Sequence, residues 1–229
     1  MNLIDKAFSE GRSALSEYES KQLLSGFGIP VTHEVLARDV DEAVSKASEI
    51  GFPVVLKVSG AAVSHKTEVG GVALNLGNAQ EVRKAGERLL KIEGAEALLV
   101  QEMVGGAREI VCGLVRDPHF GVCVMFGIGG VLTEVLEDIV FRVAPLTIAD
   151  SRDMVLEIRG KKIVEAFRGE AAVDLDILSR TLVALGEIGL KHGEVMGVDI
   201  NPLKIRPNGQ PVAVDALVAL RSGPPVSAA

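Results

Sequence analysis

Residues 54–76 constrain the fold more than any other stretch of the chain. VVLKV at 54–58 is a short apolar run rich in branched side chains, the pattern of a buried strand, and VALNL at 72–76 is a second strand-like run. Between them lies SGAAVSHKTEVGG, residues 59–71, too polar and too rich in glycine to continue either strand. The chain therefore builds a sheet whose strongest strand opens into a long glycine-bounded loop. Lys57 lies inside that strand. A buried ammonium is costly unless it is paired or faces a cleft, so the position asks for an anion. The plain alternative is a lysine whose stem lines the strand edge while its head reaches water.

Helical signals punctuate the strands. Ser16 and Glu19 have capping-box spacing ahead of Leu23, Leu24 and Phe27, and Gly28 and Pro30 stop that helix. A strand is expected at about 31–36, and Asp39 with Glu42 caps a helix to about Glu49 that Gly51 and Pro53 end. Asn78 with Glu81 starts a third helix to about Lys91, and a strand follows near 96–103. The pattern then turns antiparallel: apolar runs at 109–116 and 121–126 flank the turn-forming Asp117-Pro118-His119-Phe120. The glycine-broken FGIGGVLTEVL follows, and DIVFRVAPL supplies a further strand. Helices are expected at about 151–158, 161–168 and 175–191, and VMGVDINPL and PVAVDALVAL form two strands around the Pro207-Asn208-Gly209 turn. The expected class is α/β, built as two α+β subdomains over residues 1–95 and 96–229.

Composition excludes several function classes. Lys and Arg total 24 against 31 Asp and Glu, a formal charge of -7, so a nucleic acid meets repulsion unless a local basic patch forms. The basic residues at Lys161-Lys162 and Arg206 are scattered. One Tyr and no Trp leave no aromatic platform for single strands. No charge-free run has the length of a membrane span, and MNLIDKAFSEGRSALSEYESK lacks the apolar stretch of a secretory signal, so a cytoplasmic protein is expected. Cys112 and Cys123 sit in apolar runs and read as buried structural thiols.

Several polar residues carry candidate chemistry. In the glycine-bounded loop, Ser64, His65, Lys66 and Thr67 accompany backbone that can approach phosphate oxygens closely, although the spacing is not that of a Walker A motif. His65 is a candidate nucleophile, since imidazole is largely neutral near pH 7; a loop histidine that only hydrogen-bonds is the bland alternative. Asp199, Asn201 and Asp215 are hard oxygen donors of the type Mg²⁺ takes when phosphates complete its shell, with a salt bridge or strand-end cap as the alternative. Glu102 and Glu109 bracket Met103–Arg108 near a chain crossover, where an acid can hold ribose hydroxyls. Arg142 has the planar fork of a phosphate clamp, or simply pairs with Glu134, Glu137 or Asp138.

Taken in order, VVLKVSGAAVSHKTEVGGV, VQEMVGGAREIVCGLVRDPHFG, VMFGIGGVLTEVLEDIVFRVAPL and GVDINPLKI followed by AVDALVAL resemble the ATP-grasp domain of ADP-forming acyl-CoA synthetases. The likeness runs over roughly residues 16–220 and is greatest to the small separate beta subunit of archaeal acetate–CoA ligases. It implies an ATP-grasp fold in which two subdomains clasp ATP or ADP. On this resemblance Lys57 contacts the phosphates with Ser64 and Lys66 nearby. Gln101, Glu102, Met103 and Val104 hold adenine, and Glu109 holds ribose. Asn201 and Asp215 bind Mg²⁺, and His65 is the second phosphohistidine of this branch. Arg142 is an additional phosphate clamp. The beta chain of succinyl-CoA synthetase is similar in its asparagine-proline and later aspartate pattern, but carries a C-terminal flavodoxin-like domain for which this chain has no room.

The resemblance also implies a partner: an alpha subunit that carries the CoA-binding domain and the primary phosphohistidine, in an α2β2 assembly. The reversible reaction would convert acyl-CoA, ADP and phosphate to free acid, ATP and CoA. Two other functions fit part of the pattern. A stand-alone ATP-grasp carboxylate–amine ligase needs the nucleotide and Mg²⁺ residues but not His65, and a nucleotide-sensing regulatory subunit needs Lys57 more than His65.

Overall fold

The computed structural model describes residues 2–60, 70–129 and 138–221. Helix α1 (Leu3–Ser9) is capped by Asn2, whose side chain accepts from Asp5 N–H at 2.8 Å. Helix α2 (Glu17–Gly26) starts at the expected capping box between Ser16 and Glu19. Then come β1 (Glu34–Ala37), α3 (Val40–Ile50), β2 (Val54–Ser59), β3 (Val72–Leu76), α4 (Ala79–Leu89) and β4 (Ala97–Glu102). Asp39 and Asn78 cap α3 and α4, as their spacing to Glu42 and Glu81 foretold. The rest of the chain forms β5 (Glu109–Asp117), β6 (Gly121–Ile128), β7 (Ile139–Val143), α5 (Ile148–Glu157), a 3-10 turn at Lys161–Val164, α6 (Leu175–Lys191), β8 (Val195–Ile205), β9 (Pro211–Ala213) and β10 (Ala216–Leu220).

Two compact units result: Thr32–Val104, and Met1–Val31 together with Gly105–Ala229. The division differs from the expected break at residue 95 for two reasons. First, β4 pairs with both β1 and β2, so it is an interior strand of the smaller sheet. Second, the N-terminal segment is bonded to β10: Leu15 N–H donates to the Val218 carbonyl at 3.0 Å, and Val218 N–H donates to Ser20 Oγ at 3.1 Å.

The smaller unit is an antiparallel sheet in the order β1-β4-β2-β3. Its core joins Val54, Leu56, Val58, Leu98 and Val100 to Val82 and Leu89 of α4 and Ala43 and Ala47 of α3. Gly60, just beyond β2, passes so close to the Gly94 carbonyl that a Cβ there would collide with it.

The larger unit carries an antiparallel sheet in the order β10-β8-β5-β6-β7, with β9 paired to β8. Helix α6 buries Leu178, Leu182, Leu185 and Ile188 in the core that holds Ile110, Leu114, Val124, Phe126 and Ile200 of the sheet. Each such side chain contributes about 1.5–3 kcal/mol of burial free energy. Two expectations are corrected in this unit. The helix foreseen at 161–168 is a single 3-10 turn, because Arg168 (φ 47°) and Gly169 (φ 85°) reverse the chain and Arg108 draws the carbonyls of Ile163 and Glu165 out of line. The strand foreseen in PVAVDALVAL is two strands, broken at Val214 and Asp215. Among the described residues no helix is long and apolar enough to cross a membrane.

Candidate functional site

In the smaller unit the candidate residues cluster on β2 and the exit of β4. Lys57 is 5% exposed and lies in register between Val72 of β3 and Leu99 of β4. The side chain is therefore largely buried, and it is not without a partner. Gln101, fully buried, sits between Glu34 of β1 and Val55 of β2. Glu102 follows, and its N–H donates to the His33 carbonyl while its carboxylate accepts from His33 N–H, both at 2.9 Å. That carboxylate thus has a structural duty at the β1 edge. Met103 N–H donates to the Pro53 carbonyl at 3.4 Å, and Val104 is buried. The segment 101–104 consequently leaves the sheet tied to the residues that precede β1 and β2. Ser64, His65 and Lys66 lie outside the described residues.

In the larger unit, Glu109 opens β5 and faces Lys204 of β8 across 3.6 Å. The position is held from two sides. Gly129 N–H donates to the Glu109 carbonyl at 2.9 Å, and a Cβ on Gly129 would lie 2.7 Å from the Ile110 carbonyl carbon, so only glycine allows that return. The neighbouring Arg108, 4% exposed, pairs with Glu170 at 3.1 Å and donates to the carbonyls of Glu165 at 2.9 Å, Ile163 at 3.3 Å and Ala171. The other Glu170 oxygen accepts from Ala107 N–H at 3.0 Å. Nothing in the local sequence marks Arg108, because every one of these partners is distant along the chain.

Asp199, Asn201 and Asp215 meet at one place. Alternation along β8 buries Val198 and Ile200 and leaves Asp199 and Asn201 on the open face. The break between β9 and β10 brings Asp215 alongside: Asn201 N–H donates to the Asp215 carbonyl at 3.3 Å, and Val214 N–H donates to the Pro202 carbonyl at 3.1 Å. The pKa of Asp199 is raised from its ordinary value, first by desolvation and then by the negative charge of Asp215. Two adjacent acids and an amide oxygen, with negative charge in excess, suit a hard divalent cation. Among the described residues no group of three or more His, Cys, Asp or Glu side chains could hold a metal ion. A set this sparse fits Mg²⁺ held jointly with substrate phosphates and water rather than a cage of protein ligands.

Arg142 lies on β7, where its guanidinium pairs with Glu157 of α5 and donates to the Phe141 carbonyl at 2.9 Å. The ion pair is thus not with Asp138, one of the acids weighed from sequence; the others, Glu134 and Glu137, lie outside the described residues. Asp138 instead accepts from Gly160 N–H at 2.7 Å and Arg159 N–H at 2.8 Å. Desolvation opposes its ionisation, but these two bonds together with the Arg159 guanidinium, 3.7 Å away, outweigh it and lower its pKa. Cys112 and Cys123 are free and buried. Desolvation raises both thiols, that of Cys112 with help from Asp199 and that of Cys123 with help from Asp117, so neither is poised as a nucleophile.

The chain is similar over most of its length to known proteins. An ATP-grasp domain model matches residues 6–220. The beta subunit of the ADP-forming acetate–CoA ligase I of Pyrococcus furiosus is 37% identical over 225 residues, covering 95% of this chain and 96% of that one. The ADP-forming acetate–CoA ligase I of Archaeoglobus fulgidus is 40% identical over 216 residues, covering 92% of this chain but only 31% of the relative. Among solved structures, the dinucleotide-forming acetyl-coenzyme A synthetase 1 of Ca. Korarchaeum cryptofilum, in complex with coenzyme A, Ca-AMPCP and HgCl+, matches with a TM-score of 0.91 and 42% identity over 96% of this chain and 98% of that chain. A second structure of that protein holds coenzyme A and Mg-AMPPCP, with its phosphohistidine segment pointing towards the nucleotide binding site, and matches with a TM-score of 0.84. With the domain matched from residue 6 to 220 and a relative aligned over nearly its whole length, the chain belongs to the ATP-grasp family, among the beta subunits of ADP-forming acetate–CoA ligases.

Proposed function

We propose that this chain binds ADP or ATP and carries out the phosphoryl-transfer half of an ADP-forming acyl-CoA ligase, most simply one for acetate. The observation that carries the reading is the meeting of Asp199, Asn201 and Asp215 on the face of β8. Mg²⁺ bound there would neutralise charge on the nucleotide phosphates. The chain's own groups do the rest. Lys57 meets the phosphates, residues 101–104 hold adenine, and Glu109 orients the ribose. Arg142 clamps the transferred group once it releases Glu157.

The remaining steps need a partner of the alpha type, which supplies the CoA-binding domain and a first phosphohistidine; an α2β2 assembly in the cytoplasm is the simplest arrangement. On the partner, inorganic phosphate displaces CoA from acyl-CoA to give acyl phosphate. The partner histidine attacks that phosphorus and frees the carboxylic acid. His65 then accepts the phosphoryl group, and a terminal oxygen of ADP takes it, restoring neutral His65 and yielding ATP. Every step is reversible. Two phosphohistidines divide one long transfer into shorter ones, while the protein supplies position and charge.

The direct test is intact mass spectrometry after mixing with Mg-ATP, comparing wild type with His65→Ala. A gain of about 80 Da, labile to acid and absent from His65→Ala, is expected, in keeping with one phosphoryl group on histidine. If nucleotide binds but neither the chain alone nor its mixture with the alpha partner gives the adduct, transfer through His65 is wrong.

A further inference from the structure

Glu17 and Lys21 form an ion pair one turn apart on α2, with Lys21 Nζ 2.9 Å from Glu17 and side chains only 1% and 3% exposed for Lys21 and Glu17. A buried pair of this kind is a poor stabilising device. Desolvation cancels much of its attraction, and apolar residues of the same size commonly serve stability as well or better. Its reason for being lies in where the ammonium points. Lys21 Nζ donates to the Val214 carbonyl at 3.0 Å, in the break between β9 and β10 that places Asp215. The same break is tied to β8 by Val214 N–H on the Pro202 carbonyl and by Asn201 N–H on the Asp215 carbonyl. Ser20, the preceding residue, holds the following strand through Val218 N–H. Helix α2 therefore grips the chain on both sides of Asp215, and the Val214–Asp215 peptide is fixed from behind by Lys21.

We propose that Lys21, held in place by Glu17, is a positioning residue for the divalent-cation site: it fixes the Val214 carbonyl so that the Asp215 carboxylate is presented beside Asn201. The assignment rests on the reading of Asp199, Asn201 and Asp215 as that site. In this role Lys21 acts on affinity for the metal through the backbone that carries one ligand.

The test uses the 229-residue chain, with Mn²⁺ as the probe. Bound Mn²⁺ is measured by electron paramagnetic resonance in the presence of ADP, and ADP affinity in EDTA is measured by calorimetry. The variants are Asp215→Ala, Lys21→Met and the double variant Glu17→Met/Lys21→Met, which removes both charges together and avoids stranding one of them. The double variant is expected to keep the circular dichroism and melting temperature of the wild type and its ADP affinity in EDTA, while Mn²⁺ affinity falls about 10-fold to 100-fold, as for other groups that orient metal ligands. Lys21→Met shows the same Mn²⁺ loss with reduced stability. If Asp215→Ala loses Mn²⁺ and the double variant does not, the positioning role is wrong and the cation site stands. If Asp215→Ala binds Mn²⁺ like wild type, the cation reading fails and takes the proposal with it. If the double variant loses stability, metal-free ADP binding and Mn²⁺ binding together, Lys21 is only a structural residue and the proposal is overturned.

Discussion

Glu19 shows how much one helix-start carboxylate can do. It accepts from Arg12 Nη1 at 2.6 Å and Nη2 at 3.0 Å, from Ser16 N–H and Oγ at 3.0 Å each, and from Lys6 at 3.3 Å. Desolvation is the largest influence on its pKa and pushes upward, yet the bonds from Arg12 and Ser16 together hold it at about 2, against an ordinary 4.5. A folded value below the unfolded one means the stabilisation is complete above pH 4.5 and is lost as pH falls from 4.5 towards 2. After discounting for solvent screening, about 1–2 kcal/mol is at stake. Glu19→Gln should therefore lower the urea midpoint at pH 7, with the gap to wild type closing as pH falls below 4.5. A gap that stays constant with pH would contradict the assignment. The Ser16–Glu19 half of this cluster was legible as a capping box; Arg12 and Lys6 were not, because α1 folds back to bring them there.

At the scale of elements, local signals and tertiary demands divide the chain between them. The caps at Ser16, Asp39 and Asn78 and the apolar runs of β2, β3 and β5 are local, and they sit where periodicity and capping chemistry put them. The stretch 161–171 is not local. Its carbonyls are claimed by Arg108, whose partners lie 55 to 63 residues away, and that claim overrides helix propensity. Arg108→Met should strand Glu170 in a mostly buried position and cost about 3–5 kcal/mol, as expected when one member of a buried pair is removed. Amide hydrogen exchange should rise across residues 161–171 and at Ala107, while β2 and β4 keep their protection. Unchanged exchange at 161–171 would show that the segment holds its shape without Arg108.

For the whole molecule, the chain leaves the larger unit after Val31 and returns to it at Gly105. The smaller unit is thus an insertion, which no composition shift at either crossing announces. Removing residues 2–15 deletes α1 and the Leu15 N–H bond to Val218, along with buried Ile4, Ala7 and Leu15. Burial of those side chains contributes a few kcal/mol, about 1.5–3 for each large one. The truncation should lower the melting temperature of the larger unit and raise exchange at β10, with the protection of β2 and β4 unaltered. Loss of protection in both units together would mean that they do not melt separately.

The amino-acid sequence by itself determined most of the alternation of strands and helices, the helix starts at Ser16, Asp39 and Asn78, the lysine within β2 and the ordered motifs that mark the family. All of these are written in spacings of a few residues, where side-chain periodicity and capping bonds act. Only the tertiary structure decided which polar groups meet. Asn201 reaches Asp215 because β8 faces the break before β10. Lys21 reaches the Val214 carbonyl across 193 positions of sequence because α2 packs against the far end of the chain. Such contacts depend on how the two ends are buried together, a property of the packed core that no short stretch of sequence contains.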